Sequence, residues 1–320
     1  MPLVDYSSDS DSSASGADGS DAGIPPKKQR RTGSGEGSAS AFGPSPSPSP
    51  APAHAAALPP LPPSFHDLYA STVRTATRDD PSLHQGRTRQ NPHVPGNWPS
   101  HIYIEWHPPS AVHSLLVELV SSLQAQARTL SSAVQVTSLL LSDLAAPQPL
   151  HISLSRPIVL SSAQKDTFSA EVEAAIRASG IAAFTLACST VEWHRTAESG
   201  RSFLVLRVHG TQEAREGDTE DNPNPELTEL LRRCNAVVAK YGQPGLYRWA
   251  EGDDVSRVWK AFHVSIAWSF AEPTEELKMV TERVFGQTTA KGRIQEVRVP
   301  VEGIKVKIGN TAYDIAIKRS

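Results

Sequence analysis

Long apolar runs and cysteines are scarce in this chain of 320 residues. No stretch approaches 18 consecutive apolar residues, the minimum for a membrane-spanning helix. An acidic, Ser-rich segment follows Met1, where a signal peptide would have a basic patch and an apolar run. We therefore expect neither membrane insertion nor secretion. The only two cysteines, Cys188 and Cys234, exclude a disulfide framework and any zinc site that needs several thiolates.

An excess of positive charge is also missing. The formal net charge is -3, whereas a protein that coats duplex nucleic acid needs a strongly basic surface. We therefore expect any contact with nucleic acid to be confined to a local site.

The first 65 residues differ in composition from the rest of the chain. Twelve of the 26 prolines lie in residues 1–63, beside Ser-Asp alternation and a Pro-Ser repeat. Such a segment cannot bury apolar surface, so we predict a disordered tail over residues 1–65 and a folded domain over residues 83–320. Within the tail, Lys27-Lys28-Gln29-Arg30-Arg31 is typical of a nuclear import signal. We therefore expect nuclear localisation, although a cluster of this kind can also serve only to solubilise a tail.

The spacing of apolar residues in the folded part predicts a mixed order of strands and helices. The expected strands are His101–Trp106, Leu150–Arg156, Phe184–Trp193, Phe203–Val208, Phe262–Phe270, Ile294–Val299, Ile304–Ile308 and Tyr313–Ile317. The expected helices begin at Ser110, at Ser161 or Ser162, at Asn224 and at Pro273. Hairpins mixed with crossovers predict an α+β fold in two similar halves, with antiparallel sheets and helices on their outer faces.

Two His-x-Ser triplets are the most informative motifs. His151-Ile152-Ser153 and His263-Val264-Ser265 lie 112 residues apart, each on an alternating apolar strand. Side chains at i and i+2 share one face of a strand. Two imidazoles and two hydroxyls can therefore line one groove while the aliphatic residues between them enter the core.

This set of groups suits acid-base chemistry at a phosphodiester. A neutral imidazole can accept a proton from an attacking hydroxyl, an imidazolium can protonate the leaving oxygen, and both titrate near neutral pH. In RNA the neighbouring 2′-hydroxyl can attack and form a 2′,3′-cyclic phosphate without a metal. The histidine of a single such triplet is usually structural, which is the second interpretation beside catalysis. A mononuclear metal site is a third interpretation. No Asp or Glu accompanies either triplet at ligand spacing, which disfavours a metal.

The paired triplets resemble the two-histidine phosphoesterase superfamily, and further stretches are similar to the U6 small nuclear RNA phosphodiesterase family. These stretches are Gly86–Arg89, Pro95–Tyr103, His151–Ser155, Phe262–Trp268 and Ile304–Lys318, over residues 83–318. The resemblance implies two pseudo-symmetric lobes with one motif each. It also implies a nuclear, metal-independent 3′-to-5′ exoribonuclease that needs no cofactor. Such an enzyme trims the oligouridine tail of U6 small nuclear RNA before spliceosome assembly and leaves a 2′,3′-cyclic phosphate or a 3′-phosphate.

The same resemblance assigns roles to individual residues. His151 and His263 become the general acid-base pair, and we expect His263 as the base and His151 as the acid. Ser153 and Ser265 become phosphate ligands. We place Tyr247 and Phe262 among the substrate-binding residues. Tyr247 matches a base-stacking tyrosine, with Trp249 or Trp259 as substitutes because the linker to the second motif is long.

Other aromatic and imidazole side chains receive structural interpretations. We expect Trp98 and Tyr103 in the core of the first lobe and His194 at the surface.

Two other functions stay open at this point. The same residues can open a 2′,3′-cyclic phosphate on a small nucleotide or an RNA end. Alternatively, the chain can be a noncatalytic module that binds single-stranded RNA 3′ ends. One chain supplies both motifs, so we expect a monomer.

Overall fold

A computed structural model describes residues 94–196, 200–211, 222–247, 254–286 and 290–318. The strands are β1 (Asn97–Trp106), β2 (Thr137–Ser138), β3 (Leu150–Ser153), β4 (Ile158–Ser161), β5 (Phe184–Arg195), β6 (Ser202–Gly210), β7 (His263–Ser269), β8 (Arg298–Val301), β9 (Gly303–Ile308) and β10 (Thr311–Ala316). The helices are α1 (Ser110–Leu130), α2 (Lys165–Ala178), α3 (Pro225–Lys240), α4 (Ser256–Trp259), α5 (Glu275–Gly286) and α6 (Ala290–Gln295). The predicted tail, its basic cluster and the predicted domain start lie outside the described residues.

The first sheet has the strand order β10-β9-β1-β3, and β4 also pairs with β1. All of these pairings are antiparallel. Along β1, Ile102, Ile104 and Trp106 are buried while the residues between them are partly exposed. Helix α2 packs on β9, β10 and α3. The two-residue period of β1 therefore gives this sheet one face in the core and one open face.

The second sheet has the order β2-β7-β6-β5-β8, again entirely antiparallel. Helices α5 and α6 pack on β5, and α1 packs on β7 and α5. Val264 and Ile266 of β7 and Leu206 of β6 are fully buried. Cys188 and Cys234 are buried too, and burial raises the pKa of each thiol to about 12.

The predicted α+β architecture, with one His-x-Ser strand in each sheet, is confirmed. The two sheets are nevertheless not two consecutive halves of the chain. The last strands, β9 and β10, join the first sheet, whereas α1 comes before β3 and packs on the second. No described helix is long and apolar enough to cross a membrane.

Several element boundaries differ from the sequence prediction. The segment predicted as a strand from Ile294 forms α6 first, because Ile294 and Val297 are buried at helical spacing before alternation begins in β8. The second helix begins at Lys165, after an unpredicted strand, β4. Asn224 precedes α3 as predicted, but its side chain does not cap the helix. Its Nδ2 donates instead to the carbonyls of Val208 (3.0 Å) and Trp259 (2.7 Å).

Trp98 is not in the core, contrary to the sequence prediction. Its side chain is 36% exposed, and its Nε1 donates to the hydroxyl of Ser162 at 2.9 Å. The indole lies over the β9–β10 turn, where Gly309 has φ +60° and where an added Cβ would come within 2.7 Å of Trp98 Cε3. Both the backbone conformation and the indole therefore require glycine at this turn.

We predict that Gly309→Ala destabilises the protein more than Gly180→Ala. Gly180 has φ +69° but nothing within 4 Å of an added Cβ, so that variant measures the left-handed strain alone, about 1–2 kcal/mol. In Gly309→Ala, the added Cβ also displaces the Trp98 indole from Ser162, so the loss of stability exceeds that from the left-handed strain alone. Urea unfolding of both variants measures the free energies of unfolding. Equal losses would show that Trp98 does not constrain this turn.

Candidate active site

His151 and Ser153 lie on the open face of the first sheet. Leu150 and Ile152, which alternate with them, are 2% and 1% exposed in the core. In the β1–β3 register, His151 is opposite Glu105, and Ser153 is opposite Tyr103. Residues directly opposite in a sheet share a face, so a carboxylate and a phenol flank the first motif.

His263 and Ser265 lie on the open face of the second sheet. Val264 and Ile266 of the same strand are fully buried. In the β6–β7 register, His263 is opposite Arg207, and Ser265 is opposite Val205. The second motif therefore has a guanidinium beside its imidazole.

The structure brings the two motifs together, as the sequence predicts. Strands β3 and β7, one from each sheet, have Cα atoms within 8 Å of each other. The positive charge of His151 also contributes to the lowered pKa of His263. We call His151, Ser153, His263 and Ser265 together the paired-motif site.

A single carbonyl orients the second imidazole. The oxygen of Ala261 accepts hydrogen bonds from His263 Nδ1 (2.7 Å), Arg207 Nη1 (2.7 Å) and the Tyr247 hydroxyl (3.2 Å). Because a carbonyl can only accept, Nδ1 carries the proton of the neutral ring. Nε2 of His263 is therefore the basic nitrogen, with its lone pair available.

The surroundings of His263 keep it neutral. Burial lowers its pKa to about 4, and the positive charges of Arg207, His194 and His151 act in the same direction. The hydrogen bond to Ala261 opposes this shift without cancelling it. His263 is thus an unprotonated imidazole at neutral pH, the form that a general base requires.

His151 has a different electrostatic environment. Desolvation lowers its pKa, but the Glu105 carboxylate acts to raise it. Burial alone would raise the pKa of Glu105, yet hydrogen bonds from His107 Nε2 (3.0 Å) and Lys305 Nζ (2.7 Å) bring it below its usual value. Glu105 is therefore an anion, and it favours the imidazolium form of His151. Desolvation is the larger effect, so the pKa of His151 still lies below its usual value, but Glu105 opposes this shift and no described carboxylate acts on His263 in the same way.

Three further aromatic or imidazole rings in the described part of the chain lie beside the motif histidines, and the sequence analysis does not place them there. His101 and Tyr103 have ring centroids 5.4 and 5.6 Å from His151, and His194 lies 5.6 Å from His263. The predictions of Tyr103 in the core and His194 at the surface are wrong, since both are half-buried beside a motif histidine. Tyr103 alternates with the buried Ile102 and Ile104, and this pattern alone assigns it to the open face.

Of the predicted substrate-binding aromatic residues, Tyr247 lies near the paired-motif site. It is half-buried, with φ +44°, and its hydroxyl is 3.4 Å from His263 Nδ1. Its role in base stacking stays a prediction.

The prediction that Phe262 binds substrate is wrong, because its side chain is 1% exposed and shares the core face with Val264. Trp259 is half-buried on α4, and Trp249 lies outside the described residues.

The described residues contain no group of three His, Cys, Asp or Glu side chains placed to hold a metal ion.

Ser155, two residues beyond the first motif, is structural. It is 1% exposed, its Oγ accepts from the Ile102 amide at 2.9 Å, and its hydroxyl donates to the Arg156 carbonyl at 2.8 Å. These bonds fix the chain that leaves β3 against β1.

Comparison with known proteins connects this geometry to a family. Residues 59–316 match the HVSL family, described as an uncharacterised conserved protein. U6 snRNA phosphodiesterase 1 of Neurospora crassa is 41% identical over 97% of this chain and 94% of its own length. The chain belongs to the U6 snRNA phosphodiesterase family. The human family member is 24% identical, over 81% of this chain and 84% of its own length.

Two solved structures are also similar to the chain. Kluyveromyces marxianus Usb1 is 16% identical, with a TM-score of 0.47 over 68% of this chain and 98% of its own. The same protein solved with uridine monophosphate is 14% identical, with a TM-score of 0.46.

We predict that the two motif histidines titrate differently in NMR spectra recorded against pH. The His263 midpoint lies near 4, since burial disfavours its charged form. Glu105→Gln removes the anion that favours the His151 imidazolium, so the His151 midpoint falls further below 6.5 while that of His263 stays in place. Glu118→Gln, an exposed carboxylate on α1, is the matched control. A His263 midpoint near 6.5, or a His151 midpoint that Glu105→Gln leaves unmoved, would contradict this electrostatic account.

Proposed function

We propose that the protein is a metal-independent 3′-to-5′ exoribonuclease that trims the oligouridine 3′ end of U6 small nuclear RNA. The observation that carries the proposal is the pair of adjacent, electrostatically different histidines. His263 is neutral with Nε2 available, and His151 has an anionic carboxylate opposite it. Membership of the U6 snRNA phosphodiesterase family, shown by 41% identity over nearly the whole chain, supports the choice of substrate.

The arrangement supports one transesterification step at the last phosphodiester. His263 Nε2 accepts the proton of the 2′-hydroxyl, and the 2′-oxygen attacks the adjacent phosphorus. The bond from phosphorus to the 5′-oxygen of the terminal nucleoside breaks, and His151 donates a proton to that oxygen. The hydroxyls of Ser153 and Ser265, one beside each imidazole, donate to the nonbridging oxygens. The terminal nucleoside leaves, and the shortened RNA ends in a 2′,3′-cyclic phosphate.

The proposal extends to the product and to the assembly. The cyclic phosphate is retained or is opened by water to a 3′-phosphate, with the two histidines exchanging roles. One chain supplies both imidazoles and both hydroxyls, so a monomer is sufficient for catalysis on single-stranded RNA.

The proposed location is the nucleus, where this RNA is assembled into the splicing machinery. Support comes from the basic cluster Lys27-Lys28-Gln29-Arg30-Arg31, which has the composition that import receptors recognise.

We predict that His151→Ala and His263→Ala each lower the rate of 3′ trimming of a 5′-labelled oligouridine by about 10²- to 10⁴-fold. That range is the usual contribution of one positioned proton transfer. Far-UV circular dichroism should show an unchanged fold, since both side chains lie on open sheet faces. His113→Ala is the matched control, because that imidazole is half-buried on α1, where it bonds the Leu140 carbonyl at 3.0 Å. It should trim at the wild-type rate.

The outcomes separate the competing functions. Trimming at the wild-type rate by both histidine variants would overturn the assigned roles. A wild-type protein that opens cyclic-ended RNA but never shortens a free 3′ end would be a cyclic phosphodiesterase. Binding of oligouridine with no turnover of either substrate would indicate that the protein is a noncatalytic module that binds RNA 3′ ends.

A further inference from the structure

A cavity of about 460 Å³ with a mixed polar and apolar lining lies across β5, β6 and β8, apart from the paired-motif site. Its polar lining comes from Ser189, His209, Thr211, Gln295 and Arg298. None of the described residues that line it is Asp or Glu. The cavity therefore combines hydrogen-bond donors with one permanent positive charge.

The strand registers place this cavity on the same sheet face as His263. Arg207 is opposite His263 in the β6–β7 pair, and His209 follows Arg207 by two residues on β6. His209 is opposite Ala187 of β5, and Ala187 is opposite Arg298 of β8. Since opposite residues and i, i+2 residues share a face, these side chains form one continuous row across the sheet.

The spacing along this row exceeds one nucleotide. Strands lie about 4.8 Å apart and rise about 3.3 Å per residue, so the Cα atom of His209 is about 8 Å from that of His263, and the Cα atom of Arg298 is about 16 Å away. A ligand that occupies both the paired-motif site and the cavity must be an extended chain. RNA with its 3′ end at the paired-motif site can extend only through its 5′ nucleotides.

The groups that line the cavity can bind an anion. Arg298 Nη1 donates to the carbonyls of Gln295 at 2.8 Å and Val297 at 3.2 Å, and these bonds hold the guanidinium in place. A guanidinium has five N–H donors, so others stay available to a ligand. Gln295 Nε2 donates to the Ser189 carbonyl at 3.4 Å, so its second N–H and the His209 imidazole are the further donors that line the cavity. A held, exposed guanidinium is well suited to phosphate oxygens.

We propose that this cavity is an RNA-backbone subsite that binds a phosphodiester a few nucleotides 5′ of the bond that is cut. The proposal rests on the exoribonuclease function proposed above. In this arrangement the paired-motif site holds the 3′ terminus, and Arg298, His209 and Gln295 bind the upstream backbone. The subsite makes long RNA a better substrate than a dinucleotide without contributing to the chemical step.

The test compares Arg298→Gln with wild type on the dinucleotide uridylyl-uridine and on an oligouridine of about ten nucleotides. The variant should keep the wild-type kcat/KM on the dinucleotide and lose about three- to tenfold on the longer RNA, mostly in KM. The slope of log kcat/KM against log salt on the longer RNA should become shallower by about 0.7, because the protein then neutralises one phosphate fewer on a single strand. Arg283→Gln, an exposed arginine on α5, is the matched control and should change neither quantity.

Equal losses on both substrates, or no loss and no change of slope on the longer one, would overturn the subsite. If wild type cuts neither substrate, the exoribonuclease proposal fails. A measurement of RNA binding then tests the proposed subsite independently of cleavage. Fluorescence anisotropy with a labelled oligouridine then compares wild type with Arg298→Gln. Weaker binding by the variant, with a shallower salt slope, supports a backbone subsite, and unchanged binding excludes it.

Discussion

The two-residue period of a β-strand is the constraint on which this structure depends. In β3 and β7, each aliphatic residue between His and Ser is buried, and this burial fixes the imidazole and the hydroxyl on the opposite face. A shift of one residue in either strand would bury the histidine and expose Ile152 or Val264. The hydrophobic core thus determines the register, and the register determines which polar groups meet between the two sheets.

Hydrogen bonds and charges from other elements then give two similar histidines different properties. The Ala261 carbonyl holds the proton of His263 on Nδ1, and burial keeps that ring neutral. Glu105 faces His151 across the strand pair and favours its protonated form. Lys305 and His107 in turn keep Glu105 ionised. Two copies of the same triplet therefore have different electrostatic environments, because their neighbours differ, and this difference supports the proposed division into a base and an acid.

The sequence predicts the motif side chains well because alternation is a local property. The buried positions around His151 and His263 can be read from a few neighbouring residues. Glu105 and Arg207 cannot be assigned this way, since their positions depend on which strands pair and in which register. The bulge in β5 between Cys188 and Val191 also shifts the register without a local signal. Tyr103 is a different case, since its own strand carries the pattern that assigns it to the open face.

The proposed reaction is a metal-free transesterification in which two histidines transfer protons. The most direct measurement incubates the protein in EDTA with a 5′-labelled oligouridine that has a free 2′,3′-diol, and then resolves the products with and without acid and phosphatase. We expect a ladder shortened from the 3′ end, with terminal phosphates that phosphatase removes only after acid has opened a cyclic phosphate. RNA that stays intact in EDTA and is shortened only when magnesium is added would contradict it.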